Sequence, residues 1–278
     1  MKKRLFQASP AIIAMAGIAS MIAMAPDLHG VPGYRDTPMV VDAPDYHVHD
    51  PDRPQPVVVT PGKTDPGTCL TPAPSDAIVL FDGTSLDAWE GGPWVLRDGT
   101  MEVAARVEDE SGKKPARDLK TKQSFGDIQL HLEWRVPSEV TGEGQGRGNS
   151  GVFLMDRYEV QILDSHENVT YADGSAGAIY GARPPLVNAS RGPGEWQTYD
   201  IIWRAPRFDG DRLTRPAMVT VLHNGILIHD HYILQGMTVH KKAAVYTPHE
   251  PTGPIRLQDH GNPIRFRNIW VRPLEPGS

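Results

Sequence analysis

From residue 77 onward the chain alternates apolar and polar residues in short runs broken by turn residues. The clearest run is "DIQLHLEWRV" (127–136). There Ile128, Leu130, Leu132, Trp134 and Val136 share one face of a strand, and Gln129, His131, Glu133 and Arg135 share the other. "AIVLFDG" (77–83), "QTYDIIWRAP" (197–206), "PIRLQDHG" (254–261) and "NPIRFRNIWVRPL" (262–274) read as further strands. "WVLRDGTMEVA" (94–104) and "AMVTVLHNGILIHDHYI" (217–233) read as hairpins turning at Asp98-Gly99 and Asn224-Gly225. "RGNSGVFLMDRYEVQILDS" (147–165) reads as two strands joined by a polar turn. No stretch sustains a 3.6-residue period. Many short strands with regular turns predict an all-β chain, a β-sandwich of two antiparallel sheets with one concave face.

The segment before residue 76 follows a different pattern. Eleven of the 26 prolines fall between residues 26 and 75. Proline fixes φ and removes a backbone donor, which predicts an extended arm rather than a helix or a central strand. Tyr46 and Val57–Val59 give this arm apolar groups with which to dock. Residues 1–25 open with Lys2, Lys3 and Arg4 and continue into an apolar run from Ala11 to Ala25. This is the pattern of a secretory signal peptide, and the run is shorter than the ~20 residues of a membrane span. The expected division is therefore a signal peptide (1–25), an arm (26–75) and one domain (76–278). The destination is periplasmic or secreted, with no membrane span in the mature chain.

Charge and cysteine content narrow the function. Without its first 25 residues the chain has 25 basic and 34 acidic residues, a net charge of −9. Such a chain offers no basic surface to phosphates, so nucleic acid is not expected as a partner. Cys69 is the only cysteine, so the chain cannot form an internal disulfide.

Candidate chemistry lies on the polar faces of the strands. Glu159 and Gln161 share one face, opposite Tyr158, Val160 and Ile162. Gln258 and His260 share another, with Arg256 two residues before; Arg265 and Arg267 share a face of the last strand. If these strands are neighbours, one sheet face collects carboxylate, amide, guanidinium and imidazole, the groups that bind sugar hydroxyls and move protons. The plain alternative is a solvent-facing sheet. The turn "GEGQGRGNSG" (142–151), with five glycines, favours a ligand site, because such a cluster lets backbone turn tightly or approach a ligand. His47 and His49, spaced i, i+2, and the loop "TYADGSAGAIYG" (170–181) are the weaker candidates for a divalent metal. Trp196 and Trp203 suit either a sugar platform or the core. The chain carries no Ser-His-Asp signature, phosphate loop or nucleotide fingerprint.

Five motifs in order carry a family resemblance: "IVLFDGTSLDAWE" (78–90), "GNSGVFL" with "YEVQILD" (148–164), "EWQTYDI" (195–201), "LHNG" (222–225) and "LQDHGNPIRFRNIWVRPL" (257–274). Over about residues 77–274 the chain resembles the 3-keto-disaccharide hydrolase family. The resemblance implies a concanavalin-like jelly roll, exported, acting on a carbohydrate substrate oxidised at C3. It places Glu159, Gln161, Gln258, His260 and Arg267 at the family's recurrent polar positions.

For such a substrate, Glu159 or His260 is expected as the base at C2 and the other as the acid. Arg267 or a metal would stabilise the enolate, and Gln161 and Gln258 would hold hydroxyls. Glu133, Asn149, Asp164 and Arg265 are further candidates for substrate contacts. Two other functions share the fold: a carbohydrate-binding module, and an ordinary glycosidase using Glu133 with Glu159 as its carboxylate pair.

Overall fold

The computed structural model describes residues 30–61, 72–106, 108, 109, 113 and 116–275. The expected signal peptide and Cys69 lie outside the described residues.

Two antiparallel sheets pack face to face as a jelly-roll β-sandwich. The shorter has five strands in the spatial order Tyr158–Leu163, Asn149–Leu154, Gly253–Leu257, Leu119–Phe125 and Trp89–Gly91. The longer runs Ile226–Ile233, Met218–His223, Gln197–Arg204, Ile128–Arg135, Arg265–Pro273, Thr100–Glu102 and Val95–Arg97; Ile78–Phe81 also pairs with Arg265–Pro273. Alternation sets the core. Leu130, Leu132, Trp134, Tyr199, Ile201, Trp203 and Phe266 of the longer sheet meet Val152, Leu154, Tyr158, Val160 and Ile162 of the shorter, all essentially buried. Both predicted hairpins turn where expected: Asp98 and Gly99 (φ 51° and 69°) and Asn224 and Gly225 (φ 54° and 79°) adopt the left-handed backbone that two-residue turns require. A third hairpin turns at Met155 and Asp156, also at positive φ, without a glycine to mark it.

The strands Asn149–Leu154 and Tyr158–Leu163 are buried at every position, not at alternate ones. One of their faces meets the core. Beyond the outer edge of Tyr158–Leu163 lies the loop 172–183. Gln161 N–H donates to the Ala178 carbonyl (2.9 Å), Gly177 N–H to the Gln161 carbonyl (2.8 Å) and Tyr180 N–H to the Glu159 carbonyl (3.3 Å). These bonds cap an edge that would otherwise be open to pairing, and they fix the loop that carries Tyr180.

Of the proline-rich segment, residues 30–61 are described. Met39–Val40 pairs with Ala43–His47, and Val57–Val58 runs parallel to Val187–Asn188. His49 is completely buried, with φ 63°, and both its N–H and its Nδ1 lie 3.0 Å from the Asp173 carboxylate. Among the described residues no helix is long and apolar enough to cross a membrane.

Candidate active site

The outward face of the five-stranded sheet floors a cleft of about 900 Å³. Strand register explains its composition. Phe153 lies opposite Glu159, Gly151 opposite Gln161, and Phe153 also opposite Arg256 on the next strand. Side chains at these paired positions project to the same face. Gln258 continues that row, its N–H bonded to the Gly151 carbonyl (3.0 Å). Glu159, Gln161, Gln258, His260 and Asn149 therefore line one cleft, because their strands are neighbours in the sheet.

Glu159 is only 5% exposed. Burial is the main influence on its carboxyl and lifts its pKa to about 8, against the opposing pull of Arg256 and with help from Asp118. Arg256 is itself engaged by Asp118 (2.6 Å) and Asp156, and its guanidinium lies 3.5 Å from the centre of the Phe153 ring. The carboxyl lies so close over Gly151 that a Cβ there would run into Glu159 Oε1 and the Phe153 ring. Gly151 is thus a close-approach glycine on the cleft floor.

Gln161 Nε2 donates to Gln145 Oε1 (3.1 Å) and faces the Gly174 carbonyl (3.4 Å). Both partners are acceptors, so the amide cannot be turned over. Its buried Oε1 is left without a partner among the described residues. Asn149 Nδ2 donates to the Gln145 carbonyl (2.9 Å), so the glycine-rich turn holds both amides. His260 is solvent-exposed at the rim, and its pKa is lowered, first by partial desolvation and further by Arg106, against Asn262 and Asp259.

The far wall is aromatic. Tyr34, Tyr171, Tyr180 and His240 line it. The Tyr171 and Tyr180 hydroxyls are 2.9 Å apart, and Tyr180 Oη lies 3.0 Å from His240 Nδ1. Burial keeps both phenols protonated far above their ordinary range. These residues come from segments with no period, so alternation had nothing to say about them. The close spacing of Tyr171, Asp173 and Tyr180 in one glycine-rich loop was the available signal.

Four expected site residues do not join this cleft. Arg267 and Glu133 belong to the longer sheet, directly opposite each other on neighbouring strands. Arg267 Nε donates to Glu133 Oε2 (2.7 Å), and Asn268 Nδ2 to Glu133 Oε1 (2.8 Å). Their strands turn Phe266 and Trp134 to the core, so Arg267 and Glu133 face outward on the opposite side of the sandwich from Glu159. An enolate role for Arg267 and a Glu133–Glu159 carboxylate pair are both corrected by this placement. Arg265 is on the same outer face, bonded to Glu102 (2.5 Å). Asp164 is held by Arg147 (2.5 Å) and by His166 N–H (3.3 Å), as a strand-end ion pair rather than a cleft residue.

Neither tryptophan lines the cleft: Trp203 is in the core, and Trp196 lies under Arg267 (4.1 Å) and Arg135 (4.7 Å) on the outer face. His47 and His49 do not converge on a metal, since His47 Nδ1 meets the Thr37 carbonyl (2.5 Å) and His49 meets Asp173. Among the described residues no group of three or more His, Cys, Asp or Glu is placed to hold one.

Residues 76–272 match the 3-keto-alpha-glucoside-1,2-lyase-like domain, and the chain belongs to that family. A relative from Bacteroides thetaiotaomicron, a 3-keto-disaccharide hydrolase, is 22% identical over 71% of this chain and 78% of its own length. The crystal structure of a candidate glycosyl hydrolase from Parabacteroides distasonis is 45% identical, with a TM-score of 0.68 over 80% of this chain and 93% of that one. Another from the same organism, 22% identical over 71% of this chain and 99% of that one, shares the fold at a TM-score of 0.50.

Proposed function

We propose that this protein cleaves glycosides whose sugar carries a ketone at C3, by elimination followed by hydration, and that it does so outside the cytoplasm. The location rests on the basic and apolar pattern of residues 1–25. The observation that carries the chemistry is the buried Glu159 carboxyl, lifted to about 8 in a cleft it shares with His260 and the two glutamines.

The C3 ketone acidifies the C2 proton, because the electron pair left behind delocalises into an enolate. A base takes that proton, the pair forms the C1–C2 double bond, and the C1–O bond to the leaving group breaks. Water then adds at C1, a proton returns to C2, and the net change is hydrolysis. The departing oxygen needs a proton, and a carboxyl that is still protonated at neutral pH supplies one. Glu159 takes that role. His260, its pKa lowered, is the neutral imidazole able to accept the C2 proton. Gln161 Oε1 accepts from a sugar hydroxyl. Gln258 donates to the ketone oxygen as it gains charge, the role first expected of Arg267, which lies in the other sheet.

The test is turnover of one glycoside in matched 3-keto and unoxidised forms, with and without chelator, by the wild type, Glu159→Gln and His260→Ala. Aglycone release is expected from the 3-keto form alone, and each substitution lowers kcat by about 10²–10⁴-fold. In D2O, Glu159→Gln still exchanges the C2 proton, whereas His260→Ala does not. Full turnover by both variants would reject the assignment. Turnover of the unoxidised sugar would mean ordinary glycosidase chemistry, and saturable binding without turnover would mean a carbohydrate-binding module.

A further inference from the structure

The matched family domain begins at residue 76, yet Pro32, Gly33 and Tyr34 line the cleft. They are held there by a buried lock. Tyr34 N–H donates to the His49 carbonyl (2.8 Å), and the His49 backbone N–H and ring Nδ1 both meet the Asp173 carboxylate (3.0 Å each). Arg53 Nη1 completes it, donating to the Ala182 carbonyl (3.0 Å) and lying 3.5 Å from Asp173. Asp173 sits in the loop that carries Tyr171 and Tyr180, so the N-terminal segment and the aromatic wall are fixed to one buried carboxylate.

The lock leaves no slack. A Cβ at Gly33 would come within 2.6 Å of the His49 carbonyl, and one at Gly181 within 3.3 Å of the His49 ring. The segment also reaches across to the glycine-rich turn, where a Cβ on Gly144 would lie 3.6 Å from Pro32. The Tyr34 ring is half-buried, 5.9 Å from His240 and 6.3 Å from Tyr171 between ring centres, with Lys241 Nζ 3.7 Å from its own centre.

The polar groups that act on a reacting ring are on the floor and, for His260, at the rim. The cleft volume, about 900 Å³, is near the top of the range of ~300–1,000 Å³ for small-molecule sites, so it has room beyond one ring. With Lys241 Nζ over one face of its ring, Tyr34 leaves the other face as an apolar surface at the wall for a second sugar ring.

Resting on the reading of the cleft as a 3-keto-glycoside site, we propose that Tyr34 is a specificity-determining residue that stacks on the second sugar of a disaccharide substrate. His49 and Asp173 are its positioning residues. The N-terminal segment is therefore part of the binding site, and the family domain alone forms an incomplete one.

The experiment compares kcat/KM for a 3-keto-disaccharide and the matching methyl 3-keto-glycoside, with calorimetric binding of both sugars, in the full chain. In Tyr34→Ala the preference for the disaccharide falls about tenfold, expressed in KM rather than kcat. Tyr34→Phe, which keeps the ring, restores it. Asp173→Asn reproduces the loss with Tyr34 intact, and circular dichroism reports whether it folds; Tyr34→Ala, at a half-exposed position, keeps the test open if it does not. An unchanged preference in Tyr34→Ala, or an equal loss with both sugars, would overturn the proposal. If the wild type turns over neither sugar, the catalytic reading fails, and the ratio of binding constants tests Tyr34 separately. If it binds neither, both readings fall.

Discussion

Glu159 shows what one buried group implies for both chemistry and stability. In the unfolded chain its carboxyl ionises in the ordinary range, near ~4.3; in the folded cleft it holds its proton to about 8. Between those pH values the folded state binds a proton that the unfolded state has released, so stability falls as pH rises through the window. Below the unfolded pKa both states are protonated and the cost disappears. A glutamine fills the same space and never ionises. Glu159→Gln is therefore expected to raise Tm at pH 9 by at least ~2–4 °C over the wild type. The gap should close at pH 4, and turnover should be lost throughout. Equal Tm values at pH 9 would mean that the carboxyl is not held protonated by the fold. Gln161 makes the companion point: both its Nε2 contacts are acceptors, so the orientation of its amide is fixed and its buried Oε1 is left without a partner among the described residues.

Strands carry their faces in the sequence but not their neighbours. Alternation placed Glu159 with Gln161, Gln258 with His260, and Arg265 with Arg267; the first and third pairs share a strand face, whereas Gln258 and His260 lie past the end of Gly253–Leu257 and meet as lining of one cleft. The first two meet because Asn149–Leu154 pairs with Gly253–Leu257, a contact between segments about a hundred residues apart that no local pattern encodes. The third lies in the other sheet, because Arg265–Pro273 pairs with Ile128–Arg135 and sets Arg267 against Glu133. Alternation could not place Tyr34, Tyr171 and Tyr180 for a different reason: they reach the cleft from coil, where side-chain direction follows from tertiary contacts, and only the close spacing of Tyr171, Asp173 and Tyr180 hinted at them. The outer-face cluster is consequently expected to act in stability rather than in the reaction. Glu133 is fully buried between Arg267, Asn268 and His131. Removing one partner of such a pair leaves an uncompensated charge, so Glu133→Ala is expected to cost about 3–5 kcal/mol in chemical denaturation. Turnover per folded molecule should remain that of the wild type. Lost turnover at unchanged stability would return Glu133 to the reaction.

Across the whole molecule, with one cysteine and hence no internal disulfide, the sandwich depends on its packed core, and the ionisable groups inside that core set its pH limits. His223 and His229 are buried and neutral. Burial is the main cause of both depressed values, about 3 for His223 and about 4 for His229; Arg191 and Arg183 push the same way, and the Gly177 carbonyl opposes at His229. An unfolded histidine takes up its proton near ~6.5, so the stability these two contribute is complete above that pH and lost as pH falls toward their folded values. Each unit of pH in that window costs about 1.4 kcal/mol per histidine. His131 has the opposite sign. Burial disfavours its charge, but Asp200 at 2.7 Å and Glu133 outweigh burial and raise its pKa, so its contribution is present at low pH and lost as pH rises. Glu159 also weakens the alkaline side. The opposing signs place the maximum of Tm near pH ~6–7, with the acid limb governed by the two core histidines. His229 Nε2 faces the Gly177 carbonyl (2.8 Å), and Gly177 N–H bonds the Gln161 carbonyl, so this histidine supports the loop that walls the cleft. A glutamine at 229 offers the Gly177 carbonyl a donor without a proton to gain on unfolding. His229→Gln is therefore expected to make the loss of Tm between pH 6 and pH 4.5 measurably shallower, at little cost at pH 8. Superimposable acid limbs for the two proteins in a Tm series would show that protonation of the core histidines does not set the acid limit.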